Sequence, residues 1–210
     1  MTHGDDQGLI FPPRLAPIQA VIVPILKTEA ENGPVMETVN RVFAELKAAG
    51  IRVKLDDRTE VTPGFKFNDW EMRGVPLRIE IGPKDVEKGS VALARRDKPG
   101  REGKSFVPQA GLAAAVADLL TDIQKSLLEK ATAFRDSHIF EPKDYDELTE
   151  VVQKGWAYSW WCESVECETK VKEDTKATTR CIPIDQPEGH GKCIVCGKDA
   201  KHKVYFAKSY

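Results

Sequence analysis

Apolar residues recur along this chain with a period that switches several times, and each switch marks an element. Residues 18–26, Ile-Gln-Ala-Val-Ile-Val-Pro-Ile-Leu, form a nearly unbroken β-branched run, as expected of a strand covered on both faces in a parallel sheet. From Pro34 to Ala49 the spacing becomes helical, with Val35, Val39, Val42, Phe43 and Leu46 on one face. Asn32 is the expected cap of that helix and Gly50 its left-handed stop. Residues 51–56 alternate like a strand, so the first unit reads β-α-β. Pro63-Gly64 opens a short polar helix through Met72 that ends near Gly74. Leu77-Arg78-Ile79-Glu80-Ile81 alternates again and stops at Gly82-Pro83. Val91 to Arg95 and Lys104 to Val107 flank the turn Asp97-Lys98-Pro99-Gly100, which predicts a hairpin. Leu112, Val116, Leu119, Ile123, Leu127, Ala131 and Phe134 then step by three or four along a long helix.

The sum is an α/β fold with a mixed five-stranded sheet and flanking helices over residues 18–137. Around His138 the periodicity breaks, and a boundary near residue 137 is expected. Beyond it, Lys143 to Lys154 predicts a helix, followed by Trp156, Tyr158, Trp160 and Trp161 and then every cysteine. Residues 1–17 fit neither part. Leu9-Ile10-Phe11 is strand-like, is closed by Pro12-Pro13 and has no partner encoded before it, so it reads as the tail of something that precedes it.

Composition narrows the function. The 210 residues carry 31 Lys+Arg and 33 Asp+Glu, a formal charge of −2, with 41 % hydrophobic and 30 % charged residues. That is a folding composition, neither disordered nor fibrous, with length for one or two domains. A near-neutral chain lacks the cationic excess needed for strong non-specific binding to DNA or a membrane surface, but a local site for RNA remains open. No apolar run approaches a membrane span, and Met1-Thr2-His3-Gly4-Asp5-Asp6 has no signal-peptide character, so a cytoplasmic protein is expected. In that compartment, cysteines are better read as metal ligands than as disulfides.

Cys162 and Cys167 are separated by four residues, and Cys193 and Cys196 by two. Two short pairs in one region suit a tetrahedral zinc site of structural type, since four thiolates leave no open position. The alternative is a set of buried free thiols. Cys181 belongs to neither pair and reads as a core thiol. The stretch Pro63-Gly64-Phe65-Lys66-Phe67-Asn68-Asp69-Trp70-Glu71, with Arg78, Lys84 and Asp85, interleaves aromatics and charges. Rings that stack on unpaired bases and charged groups that read base edges suit single-stranded RNA, although a solvated helix face beside a sheet edge would look similar. His3-Gly4-Asp5-Asp6 with Arg14 reads as a phosphate or nucleotide site, a hydrolytic pair or simply a polar loop.

These strings together resemble prolyl-tRNA synthetases of the archaeal and eukaryotic type. Thr2 to Pro17 resembles the third class II signature motif of that family. Pro63 to Glu71 with Gly74-Val75-Pro76-Leu77-Arg78 resembles its class II anticodon-binding domain, and Val204 to Tyr210 resembles its terminus. The resemblance implies a tail of the catalytic domain over 1–17, an anticodon-binding domain over 18–137 and a small α+β zinc-binding C-terminal domain over 138–210. It further implies that Arg14 packs on the ATP adenine and that His3 lines the proline/adenylate pocket. Glu71, Arg78, Lys84 and Asp85 would read the two guanines of the proline anticodon, and Cys162, Cys167, Cys193 and Cys196 would bind Zn2+. The carboxylate of Tyr210 would reach toward the catalytic domain. The function implied is the C-terminal part of a proline–tRNA ligase, with tRNA-Pro, proline, ATP and Mg2+ engaged by an intact homodimeric enzyme. This chain alone is expected to be inactive. The rival readings are a free-standing tRNA-binding module and a zinc scaffold with no ligase role.

Overall fold

The computed structural model describes residues 3–26 and 29–209, which divide into two compact units, Met1–Ala131 and Thr132–Tyr210. The division falls inside a helix, a few residues before the boundary near 137 expected from periodicity.

The first unit begins with a two-residue hairpin of β1 (Gly4–Asp5) and β2 (Gly8–Leu9), so the strand-like start finds its partner locally. It continues with β3 (Ala20–Pro24), α1 (Glu29–Ala48), β4 (Val53–Leu55), α2 (Pro63–Met72) and β5 (Leu77–Ile81). The remaining elements are α3 (Pro83–Lys88), β6 (Ser90–Arg95), β7 (Lys104–Pro108) and α4 (Leu112–Ser137). The main sheet has the order β4-β3-β5-β6-β7; its first three strands are parallel, and β6 and β7 are antiparallel.

Strand parity sorts the sheet into two faces. Ala20, Ile22, Leu77, Ile79, Ile81, Val91 and Leu93 pack with α1 and α4 in the main core, through Val39, Val42, Leu46, Val116 and Ile123. Val21 and Val23 point the other way, onto Trp70 and Val75. The β3 run is thus apolar on both faces because α2 covers one and α1 with α4 the other. A buried Val, Leu or Ile of this kind contributes about 1.5–3 kcal/mol.

Helix α1 begins at Glu29, upstream of the expected Pro34, so Asn32 lies inside the helix and does not cap it. Proline lacks one amide bond but sits near the helix start, and packing of Val35, Val39, Val42 and Leu46 outweighs that loss. The apolar stripe of α4 is buried at Leu112, Val116, Leu120 and Ile123, but Phe134 is exposed.

The second unit contains β8 (Ile139–Phe140), α5 (Tyr145–Val151), β9 (Trp156–Trp161) and α6 (Val165–Thr175). After these come β10 (Ala177–Cys181), the pair β11 (Gly191–Lys192) and β12 (Asp199–Ala200), and β13 (His202–Lys208). Its sheet has the order β10-β13-β9-β8 and covers a core of Leu148, Val151, Ala157, Val171, Val204 and Phe206. Cys181 ends the edge strand β10 after a register shift and is exposed, so it is not the core thiol expected. Among the described residues, no helix is long and apolar enough to cross a membrane.

Candidate nucleic-acid interface and metal centre

On the sheet face shared with α2, polar residues replace the apolar ones beyond Val21 and Val23. In β5, Arg78 and Glu80 alternate with the core residues and point to this face. Their partners in β6 are Ala94 and Ala92, and those pair in turn with Lys104 and Phe106 of β7. Two small alanines between longer neighbours leave a trough. One cavity of about 590 Å3 is lined by Phe67, Glu71, Arg78, Glu80, Arg101 and Lys104, among others. A second, of about 440 Å3, is lined by Glu80, Lys84, Asp85, Lys104 and Phe106, among others. The two share Glu80 and Lys104 and so adjoin.

A chain of ion pairs crosses both. Arg78 Nη1 donates to Glu71 Oε1 at 2.6 Å and its Nε to Glu80 Oε1 at 3.1 Å. Lys104 Nζ donates to Glu80 Oε2 at 2.7 Å. The Arg78 guanidinium also lies 4.0 Å from the centre of the Phe67 ring. With both ends held by carboxylates and one face on an aromatic ring, it is fixed in orientation. The Glu71 side chain is only partly buried and lines the larger cavity, which leaves its carboxylate accessible beside Arg78. Lys84 and Asp85 stand in the first turn of α3, where Asp85 Oδ2 accepts from Gly82 N at 2.9 Å and caps the helix.

The aromatic and charged stretch of α2 therefore splits. Phe67 and Glu71 face the cleft. Lys66 and Trp70 are buried, and Lys66 Nζ and Trp70 Nε1 donate to the carbonyl and carboxylate of Asp56 at 3.1 and 2.7 Å. Asp69 accepts from Arg58 at 2.9 Å. Glu80 and Lys104 were not singled out from the sequence. The available signal was an acid two residues after Arg78, on the same strand face.

His3 and Arg14 are not brought to one site. His3 is exposed beside β1, whereas Arg14 lines a separate cavity of about 450 Å3 with Gln19, Thr121, Gln124 and Lys125. Arg14 N donates to Gln124 Oε1 at 3.1 Å, and Arg52 ties this turn down through the carbonyls of Pro13 and Ala16. Tyr210 lies outside the described residues.

In the second unit the four cysteines named from their spacing converge. All four sulfurs lie within 4.8 Å of one another, with Cys162 Sγ 3.6 Å from Cys167 Sγ and 3.7 Å from Cys196 Sγ. Bonds of about 2.3 Å to a tetrahedral zinc would set sulfur–sulfur edges of about 3.8 Å, so the cluster fits a metal ion of that kind. Cys162 follows β9, and Cys167 sits in the first turn of α6, where its amide donates to the capping Ser164 hydroxyl at 3.3 Å. Cys193 and Cys196 lie in the β11–β12 turn, closed by Cys193 N to Lys198 O and Gly197 N to Cys193 O, each 2.8 Å. Gly197 takes the left-handed conformation at φ 70° that the turn needs. Gly191 lets this turn lie on Trp160, since a Cβ there would stand 2.4 Å from the indole. Burial pushes the Cys167 thiol up to about 12, and hydrogen bonding to Cys196 and Cys162 adds to this against the Ser164 hydroxyl. Four converging sulfurs are a donor set that a divalent cation would bind as thiolates.

Known proteins match both units. A family model described as an anticodon binding domain matches residues 19–107, and one described as prolyl-tRNA synthetase, C-terminal, matches residues 145–210. A proline–tRNA ligase of Roseiflexus castenholzii is 55 % identical over 210 residues, all of this chain and 44 % of the relative. The chloroplastic/mitochondrial proline–tRNA ligase of Arabidopsis thaliana is 50 % identical over 214 residues, all of this chain and 39 % of the relative. Proline–tRNA ligase 2 of Clostridioides difficile is 45 % identical over 212 residues, again all of this chain and 43 % of the relative. The chain spans less than half the length of the curated relatives it matches. With one unit matched to each of the two domain models and relatives aligned from end to end, the chain belongs to the prolyl-tRNA synthetase family and carries its anticodon-binding and C-terminal domains.

Proposed function

We propose that residues 18–137 read the anticodon of tRNA-Pro for a proline–tRNA ligase. The observation that supports this best is the ion-pair chain Glu71–Arg78–Glu80–Lys104 laid across two adjoining clefts. Guanine offers N1–H and N2–H donors on one edge and O6 and N7 acceptors on another. Glu71, with Asp85, supplies the acceptors, while Arg78 and Lys84 supply the donors. Phe67 supports the Arg78 plane and, with exposed Phe106, offers rings for unstacked bases.

Residues 138–210 hold a structural zinc through Cys162, Cys167, Cys193 and Cys196; four sulfur ligands leave no position for a reacting group. Residues 1–17 are read as the tail of the catalytic domain. There Arg14 serves the adenine of ATP and His3 the proline pocket, roles completed by residues outside this chain. Proline activation depends on positioning a carboxylate against a phosphate, which one edge of a site cannot supply. The 210 residues alone are expected to show no proline-dependent ATP–pyrophosphate exchange.

The test is binding of anticodon stem–loops to the chain. Replacing either guanine by adenine should weaken binding about five- to 150-fold, in line with about 1–3 kcal/mol per well-read base. Equal binding of the intact and doubly replaced loops would overturn the reading. Charge reversal at Glu71 and Arg78 that leaves RNA binding unchanged would favour the zinc scaffold with no RNA role.

A further inference from the structure

Arg96 follows β6, lines the larger cleft and is only 5 % exposed. Each of its side-chain nitrogens is committed. Nε donates to the carbonyl of Glu71 at 3.1 Å. Nη1 and Nη2 form a bidentate pair with Asp5 at 2.9 and 2.5 Å, and Nη2 also donates to the Gly8 carbonyl at 3.3 Å. One buried guanidinium therefore joins the last turn of α2 to the β1–β2 hairpin, with Arg96 and Asp5 lying 91 residues apart in sequence. Bidentate geometry makes the link directional as well as strong.

The contact between hairpin and helix is close. Gly8, at φ 124°, lies where a Cβ would come within 2.5 Å of Met72 Cα. Phe11 N donates to Gly74 O at 3.1 Å, and Gln7, between Asp5 and Gly8, lines the same cleft as Glu71. The Glu71 carbonyl also accepts from Gly74 N at 2.9 Å, so the last turn of α2 is held from two sides, by its own backbone cap and by Arg96. Glu71 is one residue from the end of α2, so the direction of its carboxylate depends on what holds that turn.

We propose that Arg96 is the positioning residue for the Glu71 carboxylate and that Asp5 latches it, making the Asp5–Gly8 hairpin a wall of the RNA cleft. This inference rests on the anticodon reading above. Asp5 is partly exposed and carries no core packing, so Asp5→Asn removes the charge-assisted latch while keeping the shape. Because the link is mutual, RNA held at Glu71 also steadies the hairpin.

The experiment measures binding of the 210-residue chain to the proline anticodon stem–loop and to versions with each guanine replaced, alongside thermal midpoints. Asp5→Asn should reduce discrimination at one of the two guanines about five- to tenfold, within the range of one coupling. Binding of the loop lacking that guanine should stay as it was, and Asp5→Glu should recover part of the loss. In the unaltered chain, RNA should slow amide hydrogen exchange at Gln7 and Gly8. A variant that melts earlier yet discriminates both guanines as before would show a structural contact only, and would overturn the proposal. So would unchanged exchange at Gln7 and Gly8 on saturation with RNA. Failure of the unaltered chain to discriminate would instead overturn the anticodon reading, and this inference with it.

Discussion

The carboxylate of Asp56 sits in a buried cage. Arg58 donates to it through Nε at 2.8 Å and Nη2 at 2.7 Å, Trp70 Nε1 donates at 2.7 Å, and Lys66 Nζ stands 3.9 Å away. These groups fasten α2 to the loop after β4, and with it Phe67 and Glu71. Removing the acid would strand a buried ammonium, so Asp56→Ala should cost about 3–5 kcal/mol in a denaturation midpoint, whereas Asp56→Asn should cost less. Burial opposes ionisation of Asp56, but the bonds from Arg58 and Trp70 outweigh it and bring its pKa to about 2. For Asp5, the Arg96 hydrogen bond brings the pKa to about 2 as well. Both are lower in the folded state, so their stabilisation is present above an unfolded value of about 3.9 and is lost as pH falls through about 2. Amide exchange in α2 followed from pH 5 down to about pH 2 should show protection falling across that window.

Among the elements, the β9–α6 connection with the first turn of α6 and the β11–β12 turn stand out, because they carry the four sulfurs and pack on Trp160 and Trp161. The Ser164 cap fixes the start of α6 and hence Cys167, while the Gly197 turn fixes Cys193 and Cys196. Binding of a structural metal is folding energy for a unit of this size. Chelation should therefore perturb Trp160 and Trp161 emission and lower the melting of the second unit, leaving protection of the β3–β6 core unchanged. Metal analysis should give one zinc per chain, lost in Cys193→Ser and kept in Cys181→Ser. These cysteines were readable in advance because each pair is a local loop of a few residues. Cys181, expected in the core because it belongs to neither pair, is exposed instead, since pair spacing says nothing of its strand lying at the sheet edge. Likewise, Pro34 looked like a helix start, yet packing of the α1 apolar face carried the helix upstream to Glu29.

At the scale of the molecule, the charge of −2 gives no support to a broad cationic field as the source of RNA affinity. A few placed groups, Arg78, Lys84 and Lys104, would do the work. Binding should then depend weakly on salt, with a slope of about −2 in log K against log salt if three phosphate-type contacts form, at about −0.7 each for single strands. A much steeper slope would mean that affinity comes from diffuse phosphate contacts and not from base reading. Two cores, each built on its own sheet, account for the two units.

Local spacing was enough to read the order and type of the main elements, the five-stranded mixed sheet, the cysteine tetrad and the family strings. Those features depend on neighbours a few residues apart, where period and turn chemistry act directly. Long-range pairing chose which charges of α2 turn inward to Asp56 and which face the cleft, put Glu80 and Lys104 beside Arg78, and joined Arg96 to Asp5. A residue's period tells which face it occupies, but the group opposite is set by strand order and by the closing of long loops. For that reason the sequence named Glu71, while only the folded chain revealed what holds it in place.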